Sequence, residues 1–390
     1  MNVWLIAALW MGMALAAALG SVQFGISVAL VEILLGFLAG NTFHLNSTPW
    51  IDFLAGSGSV LLTFLAGAEI DPDVLRTNLH ESLTIGFFSF LAPAVGAFAA
   101  AYWIFGWNLH AAEIAGVALS TTSVAVVYAV MVESGRNETE LGKVILAACF
   151  VTDLGTVVAL GLLFANYDRW LAVFVVVTAL LVWGSPKFVN WFFQTLGNRV
   201  SEPEIKVVLL ILFGLGGLAT LARSEAVLPA YLIGLALARQ FLRNRVLAHR
   251  MRAIAFSLLT PFYFLKAGSY VSARAILSGA LLIGALFLVK MASKGIGVYA
   301  WTLKFRFGRT NSIYTTLLMA TGLTFGTIAA LFGLTHSYIT QSQYTVLVTV
   351  VILSAVVPTL IAEKFFQPAM DTAAPLGKQA AVENAAQEVR

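Results

Sequence analysis

ILAACFVTDLGTVVALGLLF, residues 145–164, holds a single charge, Asp153, in twenty residues. About 20 consecutive apolar residues are what an α-helix needs to cross the hydrocarbon core of a bilayer. The run is continuously apolar rather than alternating, so it reads as a helix and not as a barrel strand. Twelve more apolar runs surround this one, which the pattern places at about 141–165: they lie near 3–18, 22–40, 50–68, 83–105, 110–132, 169–192, 205–222, 226–242, 253–271, 275–303, 312–333 and 343–362. Across all 390 residues, 59% are hydrophobic and 11% charged, with a mean hydropathy of +0.88. A soluble chain carries about 25% charged residues, so a water-soluble class is excluded. The expected fold is an all-α polytopic membrane protein of about 13 transmembrane helices.

Orientation follows from the basic residues, which favour the cytoplasmic side. With the N-terminus outside, 17 of the 23 Lys and Arg fall inside, three outside (Arg169, Arg223, Arg274) and three within helices (Lys266, Lys290, Lys294). This predicts an integral protein of the plasma (inner) membrane, with its C-terminus cytoplasmic. Seven of the nine Trp residues (Trp50, Trp103, Trp107, Trp170, Trp183, Trp191, Trp301) lie toward segment ends, as an interfacial belt requires. No Lys or Arg precedes the first apolar run, which argues against a cleaved signal peptide. One transmembrane domain is expected over 1–363, followed by a polar, disordered tail over 364–390.

Function is expected where polarity is expensive. A charge at mid-bilayer costs roughly 2.5–3.5 kcal/mol on insertion scales, so an intramembrane carboxylate is a functional candidate by default. Asp153 is that candidate, against the plainer reading of a structural hydrogen bond or ion pair. Lys290 and Lys294 lie four residues apart and share a helix face. Asp153 lies ten residues from Lys143, and Lys294 ten from Lys304, whereas Lys290 is fourteen away. Lys294 is therefore level with Asp153 and is the better charge-compensating partner. Snorkelling toward the interface is the competing reading, stronger for Lys290.

Two segments carry helix-weakening runs: Ser120, Thr121, Thr122 and Ser123 in the fifth, and Thr321, Gly322, Thr324, Gly326 and Thr327 in the twelfth. They stand seven segments apart and therefore in opposite orientation. An inverted repeat with two broken helices crossing at a binding site would give this pattern, although ordinary tight packing uses the same residues. Hydroxyls of Thr121, Thr122, Ser123 and Thr152, with carbonyls freed at the breaks, are hard oxygen ligands for Na⁺, Li⁺ or K⁺. Burial disfavours an ionised carboxylate and a nearby ammonium favours it, so H⁺ and a small cation can exclude each other from one site.

These residues resemble the monovalent cation/proton antiporter superfamily, in its bacterial cation/proton antiporter-2 branch. The resemblance rests on GISVALVEILLGFLAGN (25–41), FLAGAEIDPDVLR (64–76), TTSVAVV (121–127), VTDLG (151–155), PFYFLKAG (261–268) and KGIG (294–297). It implies the sodium/proton antiporter fold and a homodimer with interleaved dimerisation and core subdomains. It also implies that Asp153 binds cation and proton in competition while the core moves as an elevator. The chain departs from the pattern in three places. Thr152 stands where electrogenic members have a second aspartate, TGLTFG replaces an Arg/Gly/Glu pattern, and Lys266 replaces an uncharged residue.

The expected activity is exchange of a monovalent cation, sodium favoured, for protons. The alternatives are a potassium/proton antiporter of the same fold or a sodium-coupled solute transporter. Glu32 and Glu69 match family positions, but Glu69 with Asp71 and Asp73 reads as a solvated inner helix end. Glu113 and Glu225 read as interfacial charge at outer ends. An enzyme is not expected: no HExxH or GxSxG occurs, and the five histidines (His44, His80, His110, His249, His336) lie in loops or at segment ends. Single Cys149 excludes a disulfide framework or thiolate cluster. Neither a cofactor nor a nucleic-acid partner is expected; the partners are the sodium or potassium ion, the proton and the lipid bilayer.

Overall fold

A computed structural model describes residues 2–24, 27–43, 47–68, 79–134, 136, 139–164, 169–197, 199–222 and 226–368. Glu69, Asp71, Asp73, Arg76, Arg223, Glu225, His44 and the tail from 369 lie outside the described residues. The regular structure among the described residues is all helical: α1 (Val3–Phe24), α2 (Val28–Phe43), α3 (Pro49–Ala68), α4 (Leu79–Ala99), α5 (Leu109–Ser120), α6 (Val124–Glu133), α7 (Glu140–Leu163), α8 (Arg169–Leu196), α9 (Pro203–Leu221), α10 (Val227–Arg243), α11 (Arg245–Ile254), α12 (Thr260–Ser269), α13 (Ala273–Ser278), α14 (Ala280–Lys294), α15 (Ala300–Lys304), α16 (Arg309–Met319), α17 (Leu323–Thr335) and α18 (Gln341–Phe365). Wide turns extend α4 through Ala100–Ile104, precede α12 at Ala255–Leu259, and join α14 to α15 at Gly295–Tyr299. Among the described residues, nine spans are long and apolar enough to cross a membrane.

Polar punctuation sets the helix starts. Asn108 and Thr139 cap α5 and α7 by accepting from Ala111 N and Gly142 N. Thr340 and Gln343 form a capping box on α18. Hydropathy averaged over a window misplaces one boundary even beside polar residues such as Gln23 and Ser27. The second run was expected from residue 22, yet α1 continues to Phe24 and α2 begins at Val28. One helix lies between the ninth and tenth apolar runs: α11, RVLAHRMRAI, buries Leu247 and Met251 and leaves its arginines outward.

The helices pack as two groups. The first combines α1–α3 with α8–α12, and the second α4–α7 with α14–α18. Lipid is as apolar as leucine, so close backbone approach rather than water exclusion drives such packing. The first group is locked by two reciprocal glycine pairs. A side chain at Gly36 would strike Leu265 O while one at Gly268 would strike Ile33 O; Gly67 and Gly234 abut Tyr231 O and Phe64 O in the same way. One apolar core lies within the first group (Phe64, Val208, Leu212, Leu237) and another within the second (Ile85, Met131, Ile145, Cys149). A third spans the seam, where Tyr231 on α10 donates to Phe150 O on α7 at 3.0 Å. The tryptophan belt is partial: Trp103, Trp183 and Trp191 are exposed, while Trp107 is buried.

Candidate functional site

The chain breaks twice in the middle of the second group. α5 stops at Ser120, where Thr121 turns extended, and α16 stops at Met319, three residues before α17. The two breaks meet, with Ser123 N donating to Thr321 O at 2.9 Å. Each break leaves carbonyls without helical partners, and hydroxyls of the first break satisfy carbonyls of the second. Thr121 Oγ1 donates to Gly322 O (3.1 Å) and Thr122 Oγ1 to Met319 O (2.8 Å); Ser123 Oγ and Thr324 Oγ1 lie 3.2 Å apart. The Ser/Thr/Gly runs are thus a crossing, not ordinary helix packing.

The ends of four half-helices converge there. C-terminal ends of α5 and α16 carry partial negative charge, and N-terminal ends of α6 and α17 partial positive charge. Lys294 Nζ answers the α5 end, donating to Ser120 O (2.8 Å), Thr122 Oγ1 (3.0 Å) and Ser89 Oγ (2.8 Å). Because the Thr122 hydroxyl proton is committed to Met319 O, the lysine must be the donor. Lys290 lies one turn away, donates to Ser354 Oγ at 2.9 Å, and occupies the space a side chain at Gly322 would need. Both lysines are fully buried, so neither snorkels.

Asp153 lies on α7, which packs against α4, α5, α16 and α17. It is 1% exposed, and neither carboxylate oxygen has a hydrogen-bond partner among the described residues. It couples electrostatically to Lys294 but makes no ion pair with it, since the bonds of Lys294 go to Ser89, Ser120 and Thr122. Sequence reasoning singled out Ser120 and Thr122 but missed Ser89, and Ser354 beside Lys290. A lone Ser in an apolar run (GFFSFLA, VILSAVV) is the same kind of signal as Asp153, though weaker. Thr152 Oγ1 turns back to Cys149 O at 2.7 Å, leaving its lone pairs as its only free capacity. The two orphan carboxylate oxygens are hard donors, and the helices packed against α7 carry the buried hydroxyls and broken-helix carbonyls of the crossing.

The other singled-out charges separate from this centre. Lys266 pairs with Asp52 Oδ1 at 2.6 Å, beneath the Tyr270 ring, and Ser47 donates to the same carboxylate. Its unexpected charge is thus neutralised within the first group. Glu113 Oε2 lies 2.9 Å from His110 Nδ1 in the first turn of α5. Glu32 is buried on α2, in the first group.

Comparison with known proteins agrees with this architecture. The family model for the transmembrane sodium/hydrogen exchanger matches residues 6–366. A probable Na⁺/H⁺ antiporter 3 of Methanocaldococcus jannaschii is 24% identical over 353 residues, 87% of this chain and 89% of that protein. The Na⁺/H⁺-K⁺ antiporter GerN of Bacillus cereus is 24% identical over 350 residues, covering 86% and 89%. An Enterococcus hirae Na⁺/H⁺ antiporter is 25% identical over 374 residues, covering 88% and 92%. The solved structure of the sodium proton antiporter MjNhaP1 from M. jannaschii shares the fold, with a TM-score of 0.71 at 14% identity over 93% of this chain and 98% of that one.

Proposed function

The chain belongs to the sodium/hydrogen exchanger family, and on that premise we propose that it exchanges a monovalent cation for protons at Asp153. The observation that carries this is the buried carboxylate with both oxygens unpartnered, on the helix packed against the crossing. An unpaired buried carboxylate is costly, so it takes either a proton or a cation from solution, and the two compete for the same oxygens. Thr121, Thr122, Ser123 and Thr152, with the carbonyls of the breaks, complete the cation's oxygen shell. Lys294 holds the α5 end and offsets the charge of Asp153 when neither a cation nor a proton is bound.

Alternating access follows from the two helix groups: the second group, carrying the crossing and Asp153, moves as an elevator against the first. The two breaks, in oppositely directed segments, support an inverted repeat. By resemblance the protein is a homodimer, and by the positive-inside rule its N-terminus is outside and its C-terminus cytoplasmic. Sodium is the favoured ion because most of the relatives are named for it. Potassium is the second reading, favoured by the name of the GerN relative alone.

The test is proton flux in proteoliposomes on addition of Na⁺, Li⁺ or K⁺, for wild type and Asp153→Asn. Wild type is expected to move protons with Na⁺ and no added solute, and the Asn variant to fold but lose at least 100-fold in rate, equivalent to about 2.7 kcal/mol. Exchange by the Asn variant at the wild-type rate would remove Asp153 from the reading.

A further inference from the structure

Glu32 is a second buried carboxylate, and the exchange at Asp153 does not use it. It is 2% exposed on α2, and it has no hydrogen bond or ion pair to any described residue. It lines a cavity of about 570 Å³ between the two helix groups. Thr324, whose hydroxyl meets Ser123 in the crossing, is among its lining residues. Ser21 and Ser27 at the α1–α2 junction and Ala355, Val356, Thr359 and Leu360 of α18 line it as well. Thr260 lines it too, and its Oγ1 is buried without a hydrogen-bond partner.

Three features give this cavity a ligand class. No Lys or Arg is among its lining residues, so the charge of Glu32 has no protein counter-ion there. Its two orphan groups, a carboxylate and a hydroxyl, are hard oxygen donors suited to an alkali cation. At about 30 Å³ per water the volume admits a hydrated ion rather than requiring a stripped one. The cavity also touches the crossing, through Leu323 and Thr324. We propose that Glu32, assisted by the Thr260 hydroxyl, is an accepting station for a hydrated monovalent cation on its way to Asp153. Glu32 belongs to the first helix group and Asp153 to the second, so the cation passes across the seam. The inference rests on the reading of Asp153 as the exchange site.

The full-length protein in proteoliposomes supplies the test, with Na⁺ as the probe. Glu32→Gln is expected to raise the KM for Na⁺ about tenfold with kcat within twofold, since it alters capture and not exchange. Glu32→Asp keeps the carboxylate and should fall between the two; it is the variant to read if the Gln protein does not fold. Independently, Asp153→Asn is expected to retain weak equilibrium binding of ²²Na⁺, which the Asp153→Asn/Glu32→Gln double variant loses. A wild-type KM in Glu32→Gln, or identical binding by the single and double variants, overturns the station. Undiminished exchange by Asp153→Asn would instead overturn the Asp153 reading, while the KM shift of Glu32→Gln still measures the station by itself.

Discussion

Lys294 shows how a buried charge is made tolerable without a direct counter-ion. An ammonium has three N–H donors, and here they meet Ser89 Oγ, Ser120 O and Thr122 Oγ1. A hydrogen bond to a charged group contributes about 1.5–3 kcal/mol. Lys294→Gln removes the charge facing the α5 end and the coupling to Asp153, and it leaves at least one acceptor unpaired. A loss of about 2–4 kcal/mol, read as a lower melting temperature in detergent, and a displaced pH profile of transport are expected. Lys290→Gln should cost less, because Lys290 makes one hydrogen bond, to Ser354, and like-charge repulsion between the two lysines is relieved. Greater damage from Lys290→Gln would make Lys290 the principal cation.

At the scale of elements, the crossing depends on close backbone approach. A Cβ at Gly322 would meet Lys290 Nζ, Thr121 Oγ1 at 2.7 Å and Thr121 O at 3.0 Å. The lysine head can swing aside, but the Thr121 carbonyl belongs to the opposite break and cannot. Overpacking a filled interior costs typically 1–3 kcal/mol, so Gly322→Ala should lower stability by about that much and depress exchange by parting the two breaks. Gly56→Ala, where a Cβ meets nothing within 4 Å, is the control and should behave as wild type. Equal melting temperatures and rates for the two variants would show that the crossing tolerates separation.

For the whole molecule, the charge carried per cycle follows from how many groups change protonation with the load. Asp153 is the one carboxylate among the described residues placed against the crossing, and Thr152 offers a hydroxyl where a second acid would add a proton. Lys294 could supply that proton only by giving up one of three bonds made to fixed acceptors. The carrier therefore bears the same charge with a cation as with a proton, and exchange is expected to be electroneutral, one for one. A solid-supported-membrane recording under a Na⁺ gradient should show no sustained current. A current that reverses with the gradient would make Lys294 the second proton carrier.

Segment positions, the helical class and the candidate charges were legible in the sequence, because hydrocarbon forces every crossing helix to be long and apolar and makes each exception conspicuous. That physics picks out Asp153, the two lysines and both Ser/Thr/Gly runs from local composition alone. It is imprecise at the α1–α2 boundary, where a few polar residues (Ser21, Gln23, Ser27) interrupt a stretch that stays apolar on average, and it passes over α11, whose charges lie between two apolar runs. Only tertiary structure decided the partners. The hydroxyls of one break satisfy the carbonyls of the other some 200 positions away, and Lys294 bonds the α5 end rather than Asp153. Lys266 finds Asp52, and Glu32 faces a cavity formed by two helix groups. Hydrogen-bond partners are a property of distance in space, and residue spacing along one helix carries none of it.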